Sequence, residues 1–132
     1  MSTRCITLFQ DDGENIATIY RHCDGYIDGM GMDLAKFLDG LKRKIPATLL
    51  AANFVAALNG DGSDTLEIYP TLECASPEDM IDYMLNTDWE YAYIVNMDRD
   101  YNLSLVIISG REIVFSGKPA EFLALDDAFF RR

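Results

Sequence analysis

The sequence predicts an α+β domain with a mostly antiparallel sheet, formed by an N-terminal hairpin, one short strand and a C-terminal three-stranded meander, and with about four helices packed on it. Three observations support this class. β-rich and helical segments do not alternate strictly. The connectors between the last three β-rich segments are too short for crossover helices. A chain of 132 residues with 49% hydrophobic residues can form one core, so residues 1–132 are predicted to be a single domain.

Two β-rich runs, 3–10 and 15–22, flank Asp11-Asp12-Gly13-Glu14. An Asp-Gly pair between such runs is a strong hairpin signal. The first helix is expected to follow, with Asp33 as its N-cap, because apolar residues then recur at the spacing of one helical face. Lys42, Arg43 and Lys44 would suit the negative end of that helix.

The segment from Ala47 to Leu58, which follows Pro46, is apolar nearly all round. Pro46 ends the preceding helix and can start a new one, since the first turn of a helix does not need its N–H. A helix without a polar face must be covered on most sides. Two interpretations stay open: this helix is central to the core, or it forms a homodimer interface.

The second half of the chain has clearer signals for where helices and strands begin and end. Ser76-Pro77-Glu78-Asp79 combines an N-cap, a first-turn proline and acidic residues, and predicts a helix over Pro77 to Leu85. The other predicted elements are a short strand over 65–69, the meander strands 91–97, 103–109 and 112–116, and a last helix from Pro119.

The formal net charge of −11 is concentrated in one segment. Residues 61–100 contain 11 acidic side chains against Arg99 alone, so they contribute 1 − 11 = −10. This segment disfavours nucleic acid and favours a basic protein surface as partner, with Glu67, Glu73 and Asp82 as candidate contact residues. A solvated acidic face is the simpler interpretation.

Three cysteines, Cys5, Cys23 and Cys74, have neither CxxC spacing nor an even count. The pattern predicts free thiols in a reducing compartment. The sequence also lacks a secretory signal and any apolar run of about 20 residues, the length that a membrane span needs. We therefore expect a cytoplasmic protein without a membrane partner.

The only histidine lies in the run Tyr20 to Asp33, beside several aspartates and glycines. His22, Asp24, Tyr26 and Asp28 are the candidate functional residues of this segment. The aspartates do not have the spacing of an EF-hand, and the glycines match neither the dinucleotide nor the P-loop pattern. A structured turn, in which glycines supply positive φ and aspartates bond backbone amides, is the simpler interpretation, and no metal or cofactor is expected.

Cys23 beside His22 is a candidate for cysteine catalysis, since a reactive thiolate needs a nearby base or cation. Adjacent residues of a strand point to opposite faces, so the pair would not meet.

Residues 20–29 resemble a motif, approximately Tyr-x-His-Trp-Asp-Gly-Tyr-Pro-x-Gly, of small uncharacterised proteins from bacteria and their phages or prophages. His22, Asp24, Gly25, Tyr26 and Gly29 match that motif. Cys23 stands where tryptophan is usual, and Ile27 where proline is usual. The resemblance implies a mobile-element origin and a cytoplasmic site of action, and no known activity.

Two function hypotheses follow from the sequence. The first is a non-enzymatic accessory protein of bacterial or phage origin that binds a basic protein through its acidic segment. The second is a metal-assisted or acid/base hydrolytic enzyme centred on His22, Asp24 and Asp28.

Overall fold

The computed structural model of the protein describes residues 3–60, 62, 64–74 and 76–130. Six strands form one sheet in the order β3-β2-β1-β4-β5-β6. The strands are β1 (Cys5–Asp11), β2 (Glu14–Arg21), β3 (Leu66–Tyr69), β4 (Tyr91–Met97), β5 (Leu103–Ser109) and β6 (Glu112–Gly117). The helices are α1 (Met32–Asp39), α2 (Ala47–Asn59), α3 (Pro77–Met84), α4 (Pro119–Leu123) and α5 (Asp127–Phe130).

The mostly antiparallel sheet predicted from the sequence is confirmed. β1 and β2 form the hairpin, β4 to β6 form the meander, and β3 adds to the edge of β2. The two halves join through a parallel pair at the centre, β1 with β4, which the sequence prediction did not contain. A parallel pair needs a long connection, and the chain between β1 and β4 comprises β2, α1, α2, β3 and α3.

Helices cover both faces of the sheet. The larger core lies under α1, α2 and α4, where Leu34, Phe54 and Phe122 pack with Phe9 and Tyr93. The smaller core lies on the opposite face, where the α3 side chains join residues of β1 and β4; its members include Ile6, Leu8, Met80, Met84 and Ile94. Alternate residues of β1 therefore serve different cores, as the pleat of a strand requires.

The prediction that Asp33 caps α1 is wrong. A π-helical turn over Ile27–Gly31 runs directly into α1, so Asp33 lies in the first helical turn. Its carboxylate instead accepts a hydrogen bond from Arg21, at 2.9 Å between Nη1 and Oδ2. The helix also ends at Asp39, before Lys42, and the basic run 42–44 therefore does not belong to its last turn.

Helix α2 has nearly the predicted bounds, but it is not covered on most sides. Its buried residues, Ala47, Leu50, Ala51 and Phe54, form one stripe. The outer face is exposed, with Leu49 41% exposed, and three of its six exposed residues are alanines. Small side chains make an apolar outer face tolerable, since little hydrophobic area is exposed per residue. The homodimer stays a prediction.

Helix α3 and the meander agree closely with the sequence analysis. The Ser76 hydroxyl accepts a hydrogen bond from the Asp79 amide at 3.1 Å, as the N-cap prediction required. The last helix does begin at Pro119, but it ends at Leu123, and α5 follows as a separate turn. Within the residues described, no helix is both long enough and apolar enough to cross a membrane.

Candidate functional site

The segment with His22 connects β2 to the π-helical turn and lies at the surface. His22, Asp24, Tyr26 and Asp28 are all exposed. The Tyr26 hydroxyl donates to Asp24 Oδ1 at 3.4 Å, and the negative charge of Asp24 is the main cause that raises the pKa of Tyr26. The structure brings these two side chains together. No hydrogen bond of the described residues joins His22 or Asp28 to them.

The backbone of this segment is held tightly although its side chains are not. The Gly25 amide donates to the Thr3 carbonyl at 2.9 Å, and the Tyr93 hydroxyl donates to the Gly25 carbonyl at 2.7 Å. A Cβ on Gly25 would lie 2.8 Å from both Cys5 Cβ and the Thr3 oxygen. Gly25 is thus needed because a strand passes directly beside it.

The expected roles of glycine and aspartate in this turn need correction. The residue with positive φ is Asp24, at 56°, while the glycines provide space for close approach. Neither the Asp24 nor the Asp28 carboxylate accepts a hydrogen bond from a backbone amide in the described part of the chain; the Met30 amide donates to the backbone carbonyl of Asp24 instead. Short side chains such as aspartate tolerate this left-handed conformation.

The enzyme hypothesis depends on a metal site or on a reactive side chain. In the ranges that the structure describes, no three His, Cys, Asp or Glu side chains form a group that could hold a metal ion. His22 and Cys23 both lie beyond the end of β2, so the expectation that they sit on opposite faces of a strand does not apply. Cys5 is buried, and burial raises its pKa to about 12, which keeps it a neutral thiol.

Arg21 is a residue that the sequence analysis missed. Its side chain is nearly buried, and besides Asp33 it contacts the Met30 sulfur at 3.5 Å. It therefore ties the end of β2 to the start of α1. The sequence does not indicate that this polar residue at the end of β2 is buried, because its partner Asp33 was expected to cap a helix.

A second candidate site lies on the face of the sheet that α3 covers. Four aromatic rings follow one another there. Tyr20 and Tyr69 have centroids 6.2 Å apart, Tyr69 meets Trp89 edge-on at 5.4 Å, and Tyr83 stacks on Trp89 at 5.5 Å with 24° between the planes. Trp89 is buried beneath, while Tyr83 is 41% exposed.

The three predicted partner-binding carboxylates lie on this same side. Glu67 is the cross-strand partner of Tyr20, so both project from the same face. Asp82 is exposed on α3 next to Tyr83, and Glu73 is exposed in the connection before α3. We call this surface the acidic aromatic face; it comprises Tyr20, Glu67, Tyr69, Glu73, Asp82, Tyr83, Leu85 and Trp89.

The charge of the acidic aromatic face is not neutralised. Ion pairs of the described residues join Arg4 to Asp88, Arg21 to Asp33, and Arg99 to Asp12. None of them involves Glu67, Glu73 or Asp82. Asp61, which also belongs to the acidic segment, lies outside the described residues.

Comparisons of the chain with protein-family models, curated proteins and solved structures find no match. The resemblance of residues 20–29 to bacterial and phage proteins thus stays an interpretation of the sequence. What the protein does must be inferred from its own side chains.

Proposed function

We propose that the protein is a non-enzymatic binding protein whose acidic aromatic face binds a basic surface of another protein. The observation that carries this proposal is the half-exposed Tyr83 ring, stacked on Trp89 on the same side as three carboxylates that take part in none of the ion pairs of the described residues. Aromatic rings supply contact area, and the carboxylates supply charge complementarity.

Each component of the face suits lysine or arginine side chains. A cation over an aromatic ring is attracted by the electrons of that ring, most strongly for tryptophan and tyrosine. Arginine can also form two parallel hydrogen bonds with one carboxylate. Leu85, which is 52% exposed, adds apolar area beside the rings. Tyrosine and tryptophan are enriched in protein interfaces for this combination of properties.

The proposal includes the bacterial cytoplasm as the site of action, and it rests there on the resemblance of residues 20–29 to bacterial and phage proteins. The hydrolytic alternative centred on His22, Asp24 and Asp28 stays a prediction from the sequence. No arrangement of those side chains favours it over binding.

Capture from a bacterial lysate tests the proposal. The test variant reverses the charge of the face with Glu67→Lys, Glu73→Lys and Asp82→Lys. The matched control carries Asp11→Lys, Glu112→Lys and Asp127→Lys, three exposed acids away from the face. Both variants raise the net charge equally, so a general effect of charge acts on both.

We expect a defined protein to bind the wild type and the control, and to be lost from the face variant. Binding should weaken as salt is raised, because exposed charges are screened beyond about 10 Å at 0.1 M ionic strength. The captured protein, once identified and purified, should bind the wild type and the control with similar affinity and the face variant more weakly. Equal capture by all three proteins would contradict the proposal.

A further inference from the structure

The side of the molecule opposite the acidic aromatic face contains a cavity of about 440 Å³. It lies between the α1–α2 connection, the turn from β4 to β5, and the start of α4. Its apolar lining includes Leu38, Ile45 and Met97, which are buried, and Leu103, which is half-buried. A cavity of this size with an apolar lining can hold a small organic molecule.

Cations converge on this cavity in a protein that is strongly acidic overall. Lys42, Arg43, Lys44 and Lys118 line it, which is four of the 11 lysines and arginines of the chain. Asp39 is the one carboxylate among the lining residues. None of the four cations takes part in an ion pair of the described residues.

Nearby carboxylates are already engaged by the backbone. Asp98 accepts hydrogen bonds from the amides of Asp100 and Asn102, at 2.8 and 2.9 Å. The Asn102 amide is the first cause that holds the pKa of Asp98 below its ordinary value. Glu121 accepts from the Lys118 amide at 2.7 Å. These acids stabilise their own turns and keep their negative charge, and Lys44 contributes to the lowered pKa of Asp98. The lining of the cavity nevertheless has four cations against Asp39, which is a net positive charge.

The helix dipole does not account for the basic run. A cation stabilises the C-terminus of a helix within its last turn. Helix α1 ends at Asp39, and Lys42 to Lys44 follow in an irregular segment that leads to Ile45 at the cavity. Repulsion among these like charges is a cost to folding that a bound anion would remove.

Tyr101 adds an aromatic ring to the cavity. Its ring lines the cavity and is 46% exposed, and its φ is +65°. A bulky aromatic residue is strained in this left-handed region, where glycine would be favoured. Strained residues cluster at sites of binding. The hydrogen-bonded turn from Asp98 to Asn102 places this ring at the cavity, where it can contact a planar group.

We propose that this cavity binds a small phosphate monoester with an aromatic or otherwise planar body. Lys42, Arg43, Lys44 and Lys118 would bind the phosphate, and the apolar lining and the Tyr101 ring would bind the body. A dianionic phosphate fits several convergent cations better than a single carboxylate does. This site is separate from the face that the proposed function uses.

Titration of the full chain with 1-naphthyl phosphate and with adenosine 5′-monophosphate, followed by amide NMR shifts, tests the site. The neutral probes 1-naphthol and adenosine lack the phosphate, and inorganic phosphate lacks the body. We expect saturable shifts at residues 42–45, 98–103 and 118–120 with at least one phosphate monoester. The neutral probes and inorganic phosphate should bind at least about tenfold more weakly.

Three variants separate binding from folding. Lys44→Gln with Lys118→Gln should weaken binding about tenfold or more, whereas Lys36→Gln with Arg111→Gln removes the same charge elsewhere and should not. Tyr101→Gly removes the ring and relieves the strain, so it should weaken binding without lowering the unfolding temperature. Absence of shifts with both monoesters, or equal affinity in the two charge variants, would overturn the proposal.

Discussion

At the scale of single residues, the conformation of the segment around His22 depends on contacts with residues that are distant in sequence. Gly25 packs against Cys5, and its carbonyl accepts the buried Tyr93 hydroxyl. The sequence shows an unusual group of glycines and aspartates, but their spacing does not reveal that a β-strand passes beside Gly25. Arg21 and Asp33 are a similar case, since 12 residues separate the partners.

Gly25→Ala should destabilise the protein by about 1–3 kcal/mol, because backbone and Cys5 must move to admit a methyl group. Tyr26→Ala, one residue on, removes an exposed ring and should change the free energy of unfolding by less than about 0.5 kcal/mol. Urea unfolding of both variants measures the difference. Equal losses would show that the segment is not held by close packing.

Stability should also fall at alkaline pH because of Cys5. Burial raises the pKa of this thiol from 9.0 to about 12, so the folded state keeps a proton that the unfolded state releases. The contribution of the neutral Cys5 thiol to the free energy of unfolding is complete below pH 9 and is lost as pH rises from 9 towards 12. Tyr93 adds to it in the same direction, since burial also raises its pKa.

Unfolding free energies of the wild type and Cys5→Ala at a series of pH values measure this effect. The variant should lose stability at pH 7 from the missing sulfur, but its stability should decline less steeply above pH 9. Identical slopes would rule out Cys5 as a source of the alkaline loss.

At the scale of elements, boundaries set by local signals could be predicted and those set by tertiary contacts could not. The cap of α3 and the strands of the meander follow from Ser76, Pro77 and short connectors. The start of α1 depends on the π-helical turn before it, and the parallel pairing of β1 with β4 depends on a long crossover. Neither leaves a periodic pattern in the sequence.

The turn from β4 to β5 should weaken in acid. The pKa of Asp98 is lowered, first by the Asn102 amide, so its contribution is present above the ordinary value of 3.8 and is lost as pH falls below it. Asp98→Ala should remove this part of the acid dependence and expose the turn amides to faster hydrogen exchange. If the wild type and the variant lose stability in parallel between about pH 5 and pH 2, Asp98 has no such role.

At the scale of the whole molecule, the fold separates charge into two regions. The acidic aromatic face lies on the side of α3, and the cavity with its four cations lies on the side of α1 and α4. The concentration of acid in residues 61–100 is plain from the sequence. The cavity cannot be predicted from the sequence, because Lys118 and the basic run 42–44 are more than 70 residues apart. Only the fold brings them together.

The central claim, that the acidic aromatic face binds basic protein surfaces, is tested most directly by the fluorescence of Trp89, the single tryptophan of the chain. An arginine-rich peptide is titrated into wild type, into the Glu67→Lys, Glu73→Lys, Asp82→Lys variant, and into the Asp11→Lys, Glu112→Lys, Asp127→Lys control. We predict a saturable change in emission that weakens with salt, persists in the control and is lost in the face variant. An unchanged emission in the wild type, or an equal response in the face variant, would contradict the claim.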